Sequence, residues 1–130
     1  MRKKVAGKTI MVVDDDQEFL EELADFLRAN SYKPVAINMV SQALEAAASV
    51  KPDLILLDLK MPSKSGFQLA SEIRSLPGFS KIPIFAMSAF VKNEATAFLA
   101  IFGIDKYIKK PFCPTQLAEE IEKTLLTKEV

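Results

Sequence analysis

Apolar and polar positions follow two rhythms along this chain: short solid apolar runs, and longer stretches with a helical period. The solid runs are Thr9-Ile-Met-Val-Val13, Leu54-Ile-Leu-Leu57 and Ile82-Pro-Ile-Phe-Ala-Met-Ser88, and Tyr32 to Ile37 is a further short run interrupted by Lys33. With the more mixed Asp105-Lys-Tyr-Ile-Lys-Lys110 they predict five strands. Leu54 to Leu57 has no polar position at all, as suits a strand buried on both faces of a parallel sheet. Pro34 is tolerable only near a sheet edge or a strand start.

Between the strands the period changes to that of helices. Phe19, Leu20, Leu23, Ala24, Phe26 and Leu27 recur on one buried face, with Asp16 as cap and Asn30 suited to a left-handed C-terminal turn. Ser41 is expected to cap a short alanine-rich helix ending near Val50, and Lys51-Pro52-Asp53 is a turn. Ser65 is expected to cap a helix carrying Phe67, Leu69, Ala70 and Ile73, which Leu76-Pro-Gly-Phe-Ser80 breaks. A helix over roughly 93–102 stops at Gly103, and Pro114 opens a last helix with Leu117, Ile121 and Leu125 inward. Residues 1–8 read as a mobile lead-in and 127–130 as an unstructured end. Strands alternating with helices at this spacing predict right-handed crossovers, hence a doubly wound α/β fold with helices on both faces of a five-stranded parallel sheet. The length of 130 residues allows one domain, 1–130.

Composition narrows the function. With 49% apolar and 26% charged residues the chain is of globular type, with no apolar run long enough for a membrane span. Its 17 basic and 17 acidic residues cancel, which argues against direct nucleic-acid binding. A single cysteine excludes an internal disulfide and fits a reducing cytoplasm. Histidine is absent, so carboxylates, lysines and hydroxyls must carry any reaction. Cys113 stands where a cap of the last helix is expected, and is read as a small buried side chain.

In a parallel sheet all strand ends point to one rim, where ligands bind. The first strand ends in Asp14 and Asp15, the third in Asp58, the fourth in Ser88 and the fifth in Lys110. Two carboxylates about 4 Å apart repel by roughly 4 kcal/mol at an effective dielectric near 20. Three therefore call for cations. Lys110 supplies one charge, and an all-oxygen donor set favours Mg²⁺ or Mn²⁺. Such a set suits phosphoryl transfer, with a carboxylate oxygen attacking phosphorus while a metal and a lysine neutralise charge.

The stretches Ile10-Met-Val-Val-Asp-Asp-Asp16, Pro52-Asp-Leu-Ile-Leu-Leu-Asp-Leu-Lys-Met-Pro62, Ala86-Met-Ser-Ala89 and Tyr107-Ile-Lys-Lys-Pro-Phe112 occur in order across nearly the whole chain. Together they resemble the receiver domains of two-component response regulators. The resemblance implies a flavodoxin-like sheet in strand order 2-1-3-4-5 and a bacterial, cytoplasmic signalling protein. It implies that Asp58 is phosphorylated by a histidine on a sensor kinase or phosphotransfer protein. Asp14 and Asp15 match the metal-site acids, Asp15 as the direct ligand, with the backbone carbonyl of Lys60 as another. Ser88 matches the switch hydroxyl, Tyr107 the aromatic that swings inward behind it, and Lys110 the lysine of the motif. The Lys110–Pro111 bond matches one that is cis in the family. The only chemistry implied is Mg²⁺-dependent self-phosphorylation and self-dephosphorylation.

Two departures stand out. Lys60 and Phe90 occupy variable positions bordering the site and are expected to shield an acyl phosphate from water. Phe98, Ile101 and Phe102 are expected to form an apolar patch for a homodimer or output partner, beside a face of the fourth helix, fifth strand and fifth helix that phosphorylation repacks. A receiver-like interaction module that never takes phosphate is the competing class, separable by a trial with acetyl phosphate and Mg²⁺. An aspartyl phosphatase of the haloacid dehalogenase type fits less well, since Asp14-Asp-Asp-Gln-Glu18 lacks the threonine of Asp-x-Asp-x-Thr. A flavodoxin-like cofactor protein is compatible with the fold alone, but this chain has no glycine-rich phosphate loop.

Overall fold

The computed structural model describes residues 5–62, 64–89 and 99–128. Its strands are β1 (Thr9–Val13), β2 (Lys33–Ile37), β3 (Leu54–Asp58), β4 (Ile84–Ser88) and β5 (Lys106–Lys109). All neighbours pair parallel, in the order β2-β1-β3-β4-β5. The helices are α1 (Gln17–Ala29), α2 (Ala43–Val50), α3 (Gly66–Arg74) and a C-terminal helix, Pro114–Lys128.

The inner strands β1, β3 and β4 are almost wholly apolar and buried because both faces of the sheet are covered there, whereas the edge strands β2 and β5 are mixed and part-exposed. Successive side chains point to opposite faces. Met11, Val13, Ile55, Leu57, Ile84 and Ala86 join the α2 and α3 side, with Ala47, Leu69 and Ile73. Ile10, Val12, Leu54, Leu56, Phe85 and Met87 join the α1 side, with Leu20, Leu27, Leu117 and Ile121. Pro34 lies in β2, an edge strand, where its missing N–H costs least. The described residues contain no helix long and apolar enough to cross a membrane.

Several caps follow expectation and others do not. Asp16 accepts from the Phe19 N–H at 3.1 Å, and Ser65 from the Gln68 N–H at 3.2 Å. Ser41 caps nothing: it sits within a 3₁₀ turn, Val40–Gln42, that leads into α2. Asn30 keeps a negative φ while its side chain donates to the Phe26 carbonyl; Ser31 takes the left-handed conformation instead, at φ 72°. The lead-in is anchored from residue 5 onward, because Val5 is fully buried and Gly7 N–H donates to the Ser31 carbonyl. The last helix runs on through Lys128, so 127–128 are not an unstructured end. Cys113 is exposed rather than buried, with its Sγ 3.4 Å from Thr115 Oγ1. That contact and nearby helix N–H groups lower its thiol pKa.

The patch expected beyond residue 93 is only partly described. Phe90 and Phe98 lie outside the described residues. Ile101 is 73% exposed, as anticipated. Phe102 instead packs its ring against Phe67, 5.2 Å between centroids, so the core claims it. Gly103, at φ +79°, ends this stretch, and Arg74 donates to its carbonyl.

Candidate functional site

The parallel sheet brings Asp14, Asp58, Ser88 and Lys110 to one rim. Asp58 is the last residue of β3 and Ser88 the last of β4, while Asp14 and Lys110 directly follow β1 and β5. Each is held by backbone pairing across strands: Asp14 N–H donates to the Ile37 carbonyl, and Lys110 N–H to the Ser88 carbonyl. Leu59 N–H donates to the Met87 carbonyl, which keeps the chain beyond Asp58 against β4 for one further residue.

Asp14 and Asp58 are almost wholly buried, with 1% and 6% exposure. Asp15 is exposed beside them. One carboxylate oxygen from each of the three lies within 4.8 Å of the others. Asp14 spends its oxygens on separate donors, the Asp16 N–H at 3.0 Å and Lys110 Nζ at 2.7 Å. Asp58 Oδ1 receives the Lys60 N–H at 3.3 Å, and Lys110 Nζ stands 4.0 Å away. Burial, first, and then the Asp14 charge push the Asp58 carboxyl up to about 6; Lys110 and the Lys60 N–H pull the other way without cancelling this. Three carboxylates with one ammonium leave a negative excess. The donor set is oxygen only, without nitrogen or sulfur, and so fits a hard divalent cation.

Ser88 is 5% exposed. Its carbonyl accepts from the Tyr107 hydroxyl at 2.8 Å as well as from Lys110 N–H. Tyr107 is partly buried against the α3-side core. The Lys110–Pro111 bond is cis. Two contributors escaped the reading of the sequence. Phe19, counted there only as a buried helix position, sets its ring 4.1 Å from Lys110 Nζ and meets Phe112 edge-on at 5.9 Å. Gly66, which in the sequence is only the residue after the Ser65 cap, is buried at the start of α3 against the backbone of Asp58 and Leu59. An apolar cavity of about 430 Å³ opens beside Lys110, walled by Phe19, Leu23, Phe26 and Phe112.

A doubly wound sheet with buried acids, a hydroxyl and a lysine on one rim defines a small class of α/β domain. The model of the response regulator receiver domain matches residues 10–122, and the chain belongs to that family. It is 38% identical over 117 residues to the transcriptional regulatory protein BaeR of Escherichia coli, covering 90% of this chain and 47% of that one. It is 33% identical over 121 residues to the phosphate regulon transcriptional regulatory protein PhoB of Pseudomonas aeruginosa, covering 93% and 53%. The chain thus spans about half the length of these relatives. A receiver domain protein of Methanospirillum hungatei superposes with TM-score 0.88 at 26% identity, over 95% of this chain and 98% of that one. The receiver domain of sensor histidine kinase PA1611 of Pseudomonas aeruginosa, solved with magnesium in its active-site cleft, gives 0.83 at 25% identity, over 92% and 98%.

Proposed function

We propose that this receiver domain is a phosphoacceptor switch in which Asp58 carries the phosphoryl group. The observation that supports this best is the placement of Asp58, buried at a strand end beside the Asp14 and Asp15 carboxylates with the Lys110 ammonium 4.0 Å away. An Asp58 carboxylate oxygen attacks phosphorus and forms a P–O bond. The P–N bond to the donor's imidazole breaks, and the imidazole leaves with the electron pair and takes up a proton. The donor is a histidine on a sensor kinase or phosphotransfer protein. This chain contains no histidine and cannot supply its own.

Asp14, Asp15, Asp58 and the backbone carbonyl of Lys60 would hold Mg²⁺, with Mn²⁺ as a substitute. The ion, when bound, supplies positive charge against the acids and the incoming phosphoryl oxygens. Lys110 neutralises a phosphoryl oxygen from the other side, and the Ser88 hydroxyl donates to another. Tyr107 is the switch aromatic: its hydroxyl donates to the Ser88 carbonyl, and through that bond it couples the site to β5. Partner affinity then changes on the surface formed by β5, the C-terminal helix and the segment around Ile101. The domain turns over no separate substrate: its chemistry is gain and loss of phosphate at Asp58.

Incubation with acetyl phosphate and Mg²⁺, read by intact mass, tests this. One phosphoryl adduct on the wild type, absent from Asp58→Asn, is the expected result. Equal labelling of Asp58→Asn overturns it, and an unlabelled wild type favours a module that works without phosphate.

A further inference from the structure

We infer that Phe19 is a positioning residue for Lys110: the face of its ring holds the ammonium over the acid cluster, and Phe112 sets the tilt of that ring. This deepens the phosphoacceptor reading and rests on it. Lys110 Nζ lies 4.1 Å from the Phe19 centroid, well inside the about 6 Å within which a cation is attracted to an aromatic face. The Phe19 and Phe112 rings meet at 81°, 5.9 Å between centroids, the edge-to-face arrangement that the ring quadrupoles favour. The backbone of Phe19 is itself pinned, since its N–H donates to the Asp16 cap.

Lys110 needs such a wall. Its ammonium ends a flexible four-carbon stem and has two acid partners at unequal range, Asp14 at 2.7 Å and Asp58 at 4.0 Å. On the remaining side lies the apolar cavity of about 430 Å³, which both Phe19 and Lys110 line. An aliphatic side chain at position 19 fills similar space but offers the cation no quadrupole. The ammonium is then drawn outward by water entering from that cavity. A cation that stays near Asp58 is the one that can meet a phosphoryl oxygen as it arrives. The sequence reading assigned Phe19 to the core alone. The ring does pack against the α1-side core, and from the first turn of α1 it also presents its face to Lys110.

Two measurements test the inference. The first is NMR of the Lys110 Hε protons in the metal-free protein, which needs no phosphorylation. An upfield ring-current shift in the wild type that is lost in Phe19→Leu supports the contact, and an unshifted wild type overturns it. The second is the rate of Asp58 phosphorylation by acetyl phosphate with Mg²⁺. Phe19→Leu is expected to slow it about three- to tenfold, while Phe19→Tyr, which keeps the ring face, stays within about twofold of wild type. In a Lys110→Met background Phe19→Leu should cost nothing further. Equal loss in Phe19→Tyr and Phe19→Leu, or a full extra loss in the Lys110→Met background, overturns the assignment. If the wild type takes no label, the phosphoacceptor reading has failed, and the NMR shift alone decides whether Phe19 holds Lys110.

Discussion

Lys110 Nζ meets Asp14 Oδ2 at 2.7 Å although 96 positions separate them in the chain. The contact joins the loops after β1 and β5, which are not neighbours in the sheet and have β3 and β4 between them. It therefore spans the rim, and Asp58 lies within that span. A buried carboxylate facing a partly exposed ammonium makes this pair sensitive to loss of either partner.

Removing the ammonium should cost the metal-free protein stability, since Asp14 and Asp58 are then left buried without a countercharge. Lys110→Met is expected to lose about 2 to 4 kcal/mol in a urea titration with a chelator present. Added Mg²⁺ should restore part of that loss. A variant as stable as wild type without metal would show that the pair contributes nothing to the fold.

The raised Asp58 carboxyl predicts an unusual pH trend. Its folded pKa of about 6 exceeds the ordinary 3.8, so the folded state holds the proton more tightly than the unfolded chain. The resulting stabilisation is complete below about pH 4 and is lost as pH rises through about 6. In metal-free buffer this fall amounts to about 2 to 3 kcal/mol. Asp58→Asn, which does not titrate, should lack it and be more stable than wild type at pH 7. Parallel pH profiles for the two proteins would contradict the assignment of the shift to Asp58.

Asp15 should behave differently from its neighbours, because it is exposed. Asp15→Asn is expected to change metal-free stability by no more than about 0.5 kcal/mol. Saturating Mg²⁺, at about 100 times its dissociation constant, should stabilise the wild type by about 2.7 kcal/mol. The variant should show little of this gain at the same concentration. Calorimetric melts with and without Mg²⁺ separate the two effects, and equal stabilisation of both proteins would remove Asp15 from the metal site.

Gly66 sets how closely α3 approaches the end of β3. A methyl group there would run into the Asp58 carbonyl oxygen and stand 2.6 Å from Leu59 Cα, and neither is a side chain that can turn aside. Gly66→Ala is expected to cost about 2 to 4 kcal/mol by chemical denaturation and to slow phosphorylation by displacing the Asp58 backbone. A wild-type midpoint with wild-type labelling would show that the helix start has room after all.

The strands, their order of appearance and the acids at their ends were legible in the chain because they rest on local pattern. Solid apolar runs specify strands buried on both faces, and a helical period with Asp16 or Ser65 ahead of it specifies a capped helix. Small polar residues were legible less well. Ser41 looks like a cap, yet the chain makes a 3₁₀ turn there, and Ser31 rather than Asn30 takes the left-handed turn. Cys113 shows the limit for single residues, since no periodicity says whether one small side chain faces water.

Arg74 illustrates what no pattern carries. Its guanidinium donates to the carbonyls of Gly103, Phe79 and Ile82 and pairs with Asp105 at 2.8 Å, tying the end of α3 to the turns before β4 and β5. In the sequence it is only a basic residue in a last helical turn. Phe19 and Gly66 are similar cases: one reads only as core and the other only as the residue after a cap until the partner across the fold is known. By itself the sequence determined which segments are strands or helices and which polar groups end them, because these follow from neighbours a few residues apart. Packing alone places Lys110 against Phe19 and Asp14, buries Asp58 enough to raise its carboxyl pKa to about 6, and starts α3 on the Asp58 backbone. Those relationships depend on distances between segments far apart in the chain, which packing sets and local pattern does not.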